Sequence, residues 1–365
     1  GAGAFYVASQ MRGTEVAPDA IQVTVTAKAC DPNELTVPAG RRTFEIINTS
    51  DRPVEWEILD GVMVVAEREN IAPGFKQTLD ARLRPGNYEI TCGLLSNPRG
   101  TLVVTTEGAE DQTGKKPETR EFLGALAEYS VYNILETVKA EKAAKALAAA
   151  IHAGDLDEAR VQYVLARRLY KRTEALAYRF SDLVNVINPV AIYLEKREDD
   201  PAFTGFQRIA YSLYGGHDMS GLPAIADELV KDLGSLRTRI RAIRLIPPDL
   251  ADSAAHLADQ LAAGRITEGE DRYAGLDLAD FNANLESITK LVTLLRPVVT
   301  PSAPDAMAKV DTTLATTTET LDALKDGDTW PSYDTVDADK RKALADAFRS
   351  LAEALGEINT AIGIA

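Results

Sequence analysis

Four residues in the first third of the chain have side chains that could act together on a metal ion: Cys30, Glu55, Glu57 and Cys92. Glu55 and Glu57 are two apart in the run Val54–Leu59, where Val54, Trp56 and Ile58 alternate with them. On a strand, residues two apart share a face, so the two carboxylates point the same way, opposite Trp56. Two carboxylates with one or two thiolates would suit a divalent ion. Thiolate selects copper(I) or zinc, and carboxylate selects harder ions. The same residue types also fit a plainer arrangement, a solvated strand face beside a structural disulfide, and both stay open at this point. A blue-copper centre needs two His, a Cys and usually an axial Met. The segment after Cys92, Gly93 to Gly100, has neither His nor Met, and no His precedes His152. That chemistry is excluded by inventory.

Farther along, Tyr163, Arg167, Tyr170, Glu174 and Tyr178 fall on one face of a helix-like segment, where Arg167 and Glu174 could simply pair. His217, Asp218 and Met219 sit together in a short glycine-containing stretch that reads as a loop with Asp218 or Ser220 capping the next helix. There is no HExxH, no serine triad and no activated cysteine, so the sequence reads as a binding protein and not an enzyme.

The elements that must position these residues change character along the chain. Residues 1–20 carry little pattern and read as an arm. From residue 21 to 106, short β-like runs are punctuated by Pro38-Ala39-Gly40, Ala72-Pro73-Gly74 and Arg84-Pro85-Gly86-Asn87. The runs include Val23–Val25, Thr43–Asn48, Val54–Leu59, Asn87–Cys92 and Thr101–Thr105. This pattern predicts an antiparallel β-sandwich. Residues 107–118 are polar and read as a linker. From 119 to 365 the apolar period becomes helical. Leu344, Phe348, Leu351, Leu355, Ile358 and Ile362 step by four and three, and Asp337 stands where an N-cap belongs. The spacing predicts an all-α bundle with helices near 119–152, 155–181, 202–214, 221–243, 248–263, 277–295 and 303–325. The formal net charge is −15, most of it after residue 106, which argues against nucleic acid and for cations as ligands. No apolar run is long enough to span a membrane.

Six stretches, VTVTAKACDP, EWEILDGVMVVAERENIAPGF, PGNYEITCGLLSNPRGTL, FSDL, DPAFTGF and EGEDRYAGLDLADFNANLES, closely resemble the EfeO family, and together they span nearly the whole chain. The resemblance implies a cupredoxin-like domain followed by an imelysin-type helical domain, also called peptidase M75. It implies a periplasmic protein that serves iron uptake with a permease and a haem peroxidase. It also implies binding of iron or copper around Cys30, Glu55, Glu57 and Cys92. The family's helical domain carries a His-x-x-Glu motif. Here the matching positions are Gln207 and Ala210. The acidic stretch that precedes the motif in relatives is largely apolar here, from Val184 to Leu194. Glu174, Asp182, Asp280 and Glu286 remain as carboxylates, with Glu174 and Asp182 the candidate residues of the old centre.

The expectation is therefore a metal-binding component whose β-domain holds the metal and whose helical site is lost or altered. The alternative is a partner-binding or regulatory paralogue without metal. The apolar Val184–Leu194 segment is expected to collapse into the former cleft, or else to dock on another protein.

Overall fold

The β-strands form because β-branched and aromatic residues alternate with polar ones between glycine- and proline-rich turns. A computed structural model of the chain describes residues 20–61, 63–83, 85–93, 97–107, 117–216 and 219–364. The expected arm up to residue 19, most of the expected linker, and the donors His217 and Asp218 lie outside the described residues. The chain divides into two units, one made of Gly1–Asp60 and Val65–Glu110, the other of Gly61–Val64 and Asp111–Ala365.

The strands make two sheets, which belong to the first unit except for Met63 and Val64. One has the order β2 (Cys30–Asp31), β1 (Ile21–Val25), β4 (Gly40–Asn48), β7 (Lys76–Leu83). The other has the order β3 (Glu34–Pro38), β9 (Gly100–Thr105), β8 (Gly86–Ile90), β5 (Val54–Asp60), β6 (Met63–Ile71). The expected sandwich is present, with one parallel pair in each sheet: Val23 opposes Ile46, and Thr36 opposes Val103. The β1–β2, β4–β7, β5–β8 and β8–β9 ladders are antiparallel, as in Ile58 opposite Ile90. Side chains of both sheets meet in one core. Phe44 and Trp56 meet there with ring centroids 5.2 Å apart and planes tilted by 44°. The short β2 and strands β3, β6 and β7 are additions to the sequence reading. In β7 the alternation of Leu79, Ala81 and Leu83 with Asp80 and Arg82 is short, and the sequence reading did not use it.

The second unit is helical. Its long elements are α1 (Leu123–Ala153), α2 (Leu156–Lys171), α5 (Gly205–Gly215), α6 (Leu222–Ala242), α7 (Pro248–Gln260), α9 (Asp277–Val299), α10 (Pro304–Asp322) and α11 (Ala338–Gly356). Shorter ones are α3 (Glu174–Ala177), α4 (Ser181–Ile187), α8 (Ile266–Glu268) and α12 (Ile358–Ala361). Asp337 caps α11 as expected, accepting from the Lys340 amide at 2.8 Å. The segment expected to be one helix from 155 to 181 instead breaks after Lys171. At the break the Thr173 amide and hydroxyl both donate to the Tyr170 carbonyl at 2.7 Å. A π-helical turn, Leu261–Arg265, follows α7.

Gly205 opens α5 with φ at 60°, and a Cβ there would stand 2.1 Å from the Ile187 carbonyl oxygen. Only glycine allows that approach. It seats the end of α4 on the start of α5, two residues before Gln207.

Candidate functional site

In the β-domain, alternation along β5 buries Val54, Trp56 and Ile58 in the sandwich core and turns Glu55 and Glu57 to the opposite face. Cys30 and Cys92 are bonded to one another as a disulfide that packs in the same core as Trp56. The structure thus joins the two sulfurs as one pair and places the two carboxylates as another, on the far side of the strand. As a disulfide, the cysteines offer no thiolate. This is the structural branch of the two that the residue types allowed.

The carboxylate face is not solvated. Glu55 and Glu57 are 9% and 6% exposed. The neighbouring strand β6 adds Glu67, also buried, and Glu69. Burial first, and then the charge of Glu69, push the Glu57 carboxyl up to about 7, with Arg99 working the other way. Thr91 holds the strand in place, its hydroxyl accepting from the Glu57 amide at 2.8 Å. Glu69 was missed from sequence because its strand lacks a recognisable alternation. Among the described residues, no group of three or more His, Cys, Asp or Glu side chains stands ready to hold a metal ion.

The helical domain contains a buried charged centre instead. Arg167, on α2, is wholly buried; its Nε donates to Asp280 Oδ2 at 2.6 Å and its Nη1 to Asn188 Oδ1 at 2.9 Å. The expected Arg167–Glu174 pair is not formed. The break after Lys171 takes Glu174 off the α2 face, and Lys171 binds it at 2.9 Å. The same ammonium lies 2.7 Å from both oxygens of Glu270. Burial opposes the Lys171 charge, but Glu174 and Glu270 hold its pKa above that of an ordinary lysine. Burial likewise opposes ionised Glu270, yet Lys171, Arg265 and Arg167 hold it well below the usual carboxylate range. Asp280 goes the other way: burial, aided by Asp271 and Glu270, pushes it up to about 7 despite Arg167.

Gln207 lies at the edge of this centre. Gln207 donates to Asn188 Oδ1 at 3.3 Å and to the Glu270 carbonyl at 3.0 Å. Asn188 also donates through Nδ2 to Glu270. Ala210 is buried in the apolar core with Ile187. The Val184–Leu194 segment divides: Ile187 joins the main core with Ala210 and Val184 packs against that core, Ala191 and Leu194 form a separate cluster with Phe203, and Val186 is exposed. Asp182 takes no part. It is exposed and paired with Arg239 at 2.6 Å. Glu286 also stands apart, bound by Arg168 and Arg172. Glu270, Asp271 and Lys171 were not singled out from sequence. The first two lie in EGEDRY, a stretch that carried the family resemblance and so held the available signal.

The imelysin family matches residues 125–358, and the cupredoxin-like domain matches residues 2–104. An iron uptake system component EfeO of Yersinia pestis is 40% identical over 94% of this chain and 91% of its own. One of Escherichia coli O1:K1 is 40% identical over 94% of this chain and 92% of its own. Among solved structures, a mutant of amicyanin in its Cu(I) form is 28% identical, covering 25% of this chain and 86% of that chain, with a TM-score of 0.21.

Proposed function

We propose that this chain, which belongs to the EfeO family of iron uptake components and through its helical domain to the imelysin family, captures iron on the outer face of β5. The observation that carries this reading is the burial of Glu55 and Glu57 on one face, with Glu69 of β6 close enough to repel Glu57. Burial and the charge of Glu69 both disfavour ionised Glu57, and a cation bound on this face would favour it. All of these donors are carboxylate oxygens, which select iron over copper(I). Closing on an ion requires Glu55, Glu57 and Glu69 to swing together, with water completing the shell. The Cys30–Cys92 disulfide serves as a clamp on the sandwich; reduction would convert it to two thiolates and open a softer, copper-type chemistry.

Iron is cargo in this reading, and the chain performs no reaction on it. The peptidase M75 name belongs to the imelysin family and is not matched here by any nucleophile or HExxH motif. The protein acts in the periplasm, delivering iron to a permease and working beside a haem peroxidase. No helix among the described residues is long and apolar enough to cross a membrane. The His-x-x-Glu centre of the helical domain is lost, since Gln207 is a weak donor and Ala210 is none.

The loss of that centre supports a second reading, a partner-binding or regulatory paralogue. Iron-limited uptake separates the two when this chain is a strain's sole member of its family. The iron reading expects Glu55→Gln with Glu57→Gln to lower iron uptake. Uptake equal to wild type overturns it and favours the paralogue.

A further inference from the structure

Lys171 comes from a stretch, Arg168 to Arg172, whose cations a sequence reading would give to solvent. Arg168 does sit half-exposed, but the Lys171 side chain is fully sealed from water. Its Nζ faces three carboxylate oxygens: both of Glu270 at 2.7 Å and Oε1 of Glu174 at 2.9 Å. Carboxylates brought from separate elements onto one positive centre are what a hard divalent ion would receive. Asn284 fixes the second Glu174 oxygen, donating to it at 2.8 Å, while its own Oδ1 has no hydrogen-bond partner. The Tyr170 hydroxyl, wholly buried and within electrostatic reach of both Glu174 and Glu270, is also without a hydrogen-bond partner. Around this point Glu174, Glu270, Asp271, Asp277 and Asp280 are gathered about the cations of Arg167, Lys171 and Arg265. The centre depends on each positive charge it has.

We propose that Lys171 is the resident cation of the helical domain: its ammonium stands between Glu174 and Glu270 in place of a metal ion and closes the domain to metal. This deepens the reading that the His-x-x-Glu centre is lost, and rests on it; it does not depend on the carboxylates of β5. Removing the ammonium leaves the oxygens, the Tyr170 hydroxyl and the negative charge behind. A divalent ion then has both the donors and the electrostatic reason to bind.

The test is equilibrium dialysis of the full chain against Mn2+, with thermal unfolding followed in parallel. Lys171→Ala is expected to lower the helical transition by on the order of 10 °C, because breaking a buried pair strands its partners. It is also expected to bind one more Mn2+ per chain than wild type, with Mn2+ raising its melting temperature and leaving the wild-type helical transition unmoved. No additional Mn2+ and no shift would overturn the proposal. Should Lys171→Ala not fold, the Lys171→Ala, Glu270→Gln double variant decides. It is expected to be the more stable of the two, and a double variant no better than the single one overturns the proposal. If the chain carrying Glu55→Gln and Glu57→Gln binds Mn2+ and loses it on Glu174→Gln, the lost-centre reading itself fails.

Discussion

Arg167, near the C-terminal end of α2, donates to Asp280, in the first turn of α9, at 2.6 Å in the buried interior. The same guanidinium reaches Asn188, and through it Gln207 and Glu270. A polar seam thus runs from α2 to Gln207 at the start of α5, and it is held by charges that belong to the protein.

Arg167→Met should accordingly destabilise the helical domain by about 3–5 kcal/mol, since Asp280 and its neighbours would remain buried without their main cation. Asp280→Asn should cost less, because the Asp280 carboxyl already leans toward its protonated form. Denaturant unfolding of both variants checks the order, and equal losses would argue against it.

Ile187 is wholly buried, and its carbonyl is the atom that forbids any side chain at position 205. Ile187→Asp should lower the melting temperature of the helical domain and leave the oligomeric state unchanged. A variant as stable as wild type that changes its association would show that this segment docks on another molecule.

Cys30 and Cys92 are 62 residues apart in the chain and are joined. Thiol titration of the unreduced, denatured protein should find no free thiol. Replacing both by serine should destabilise the β-domain by about 2–5 kcal/mol, as expected for a closed loop of this size. Two reactive thiols in the native protein would contradict the clamp.

Glu57 supplies a pH dependence whose sign is fixed. Its folded pKa of about 7 lies above the ordinary 4.5, so its favourable contribution is complete below about 4.5 and is lost as pH rises through about 7. The full effect is on the order of 3 kcal/mol. In metal-free protein, Glu57→Gln should therefore be more stable than wild type at pH 8 and lose that advantage at pH 5. An advantage that stays the same at both pH values would show that Glu57 ionises without cost.

The sandwich-plus-bundle architecture was legible because apolar alternation and helical stepping are local signals. Asp337 shows it well: a cap needs only the next three residues. Lys171 shows the limit. Its partner Glu270 lies 99 residues away, and no local spacing distinguishes the buried lysine from the half-exposed Arg168 near it. Glu55 and Glu57 were found as a pair from period two, but Glu69 was not, since recognising it requires knowing that β6 lies beside β5. The four β-domain candidates read as one ligand set because residue types carry no direction. The strand's alternation and the core packing divide them into a disulfide and a carboxylate face.

The central claim is that iron binds through the carboxylates of β5 while the disulfide remains closed. Isothermal titration of Fe2+ under anaerobic, non-reducing conditions tests it on three full-length proteins: wild type, Glu55→Gln with Glu57→Gln, and Cys30→Ser with Cys92→Ser. The account predicts one site in wild type, a loss of at least about tenfold in affinity when the carboxylates are replaced, each tenfold being about 1.4 kcal/mol, and retained binding in the folded serine variant. Unchanged affinity in the glutamine variant, or binding abolished in a folded serine variant, would contradict it.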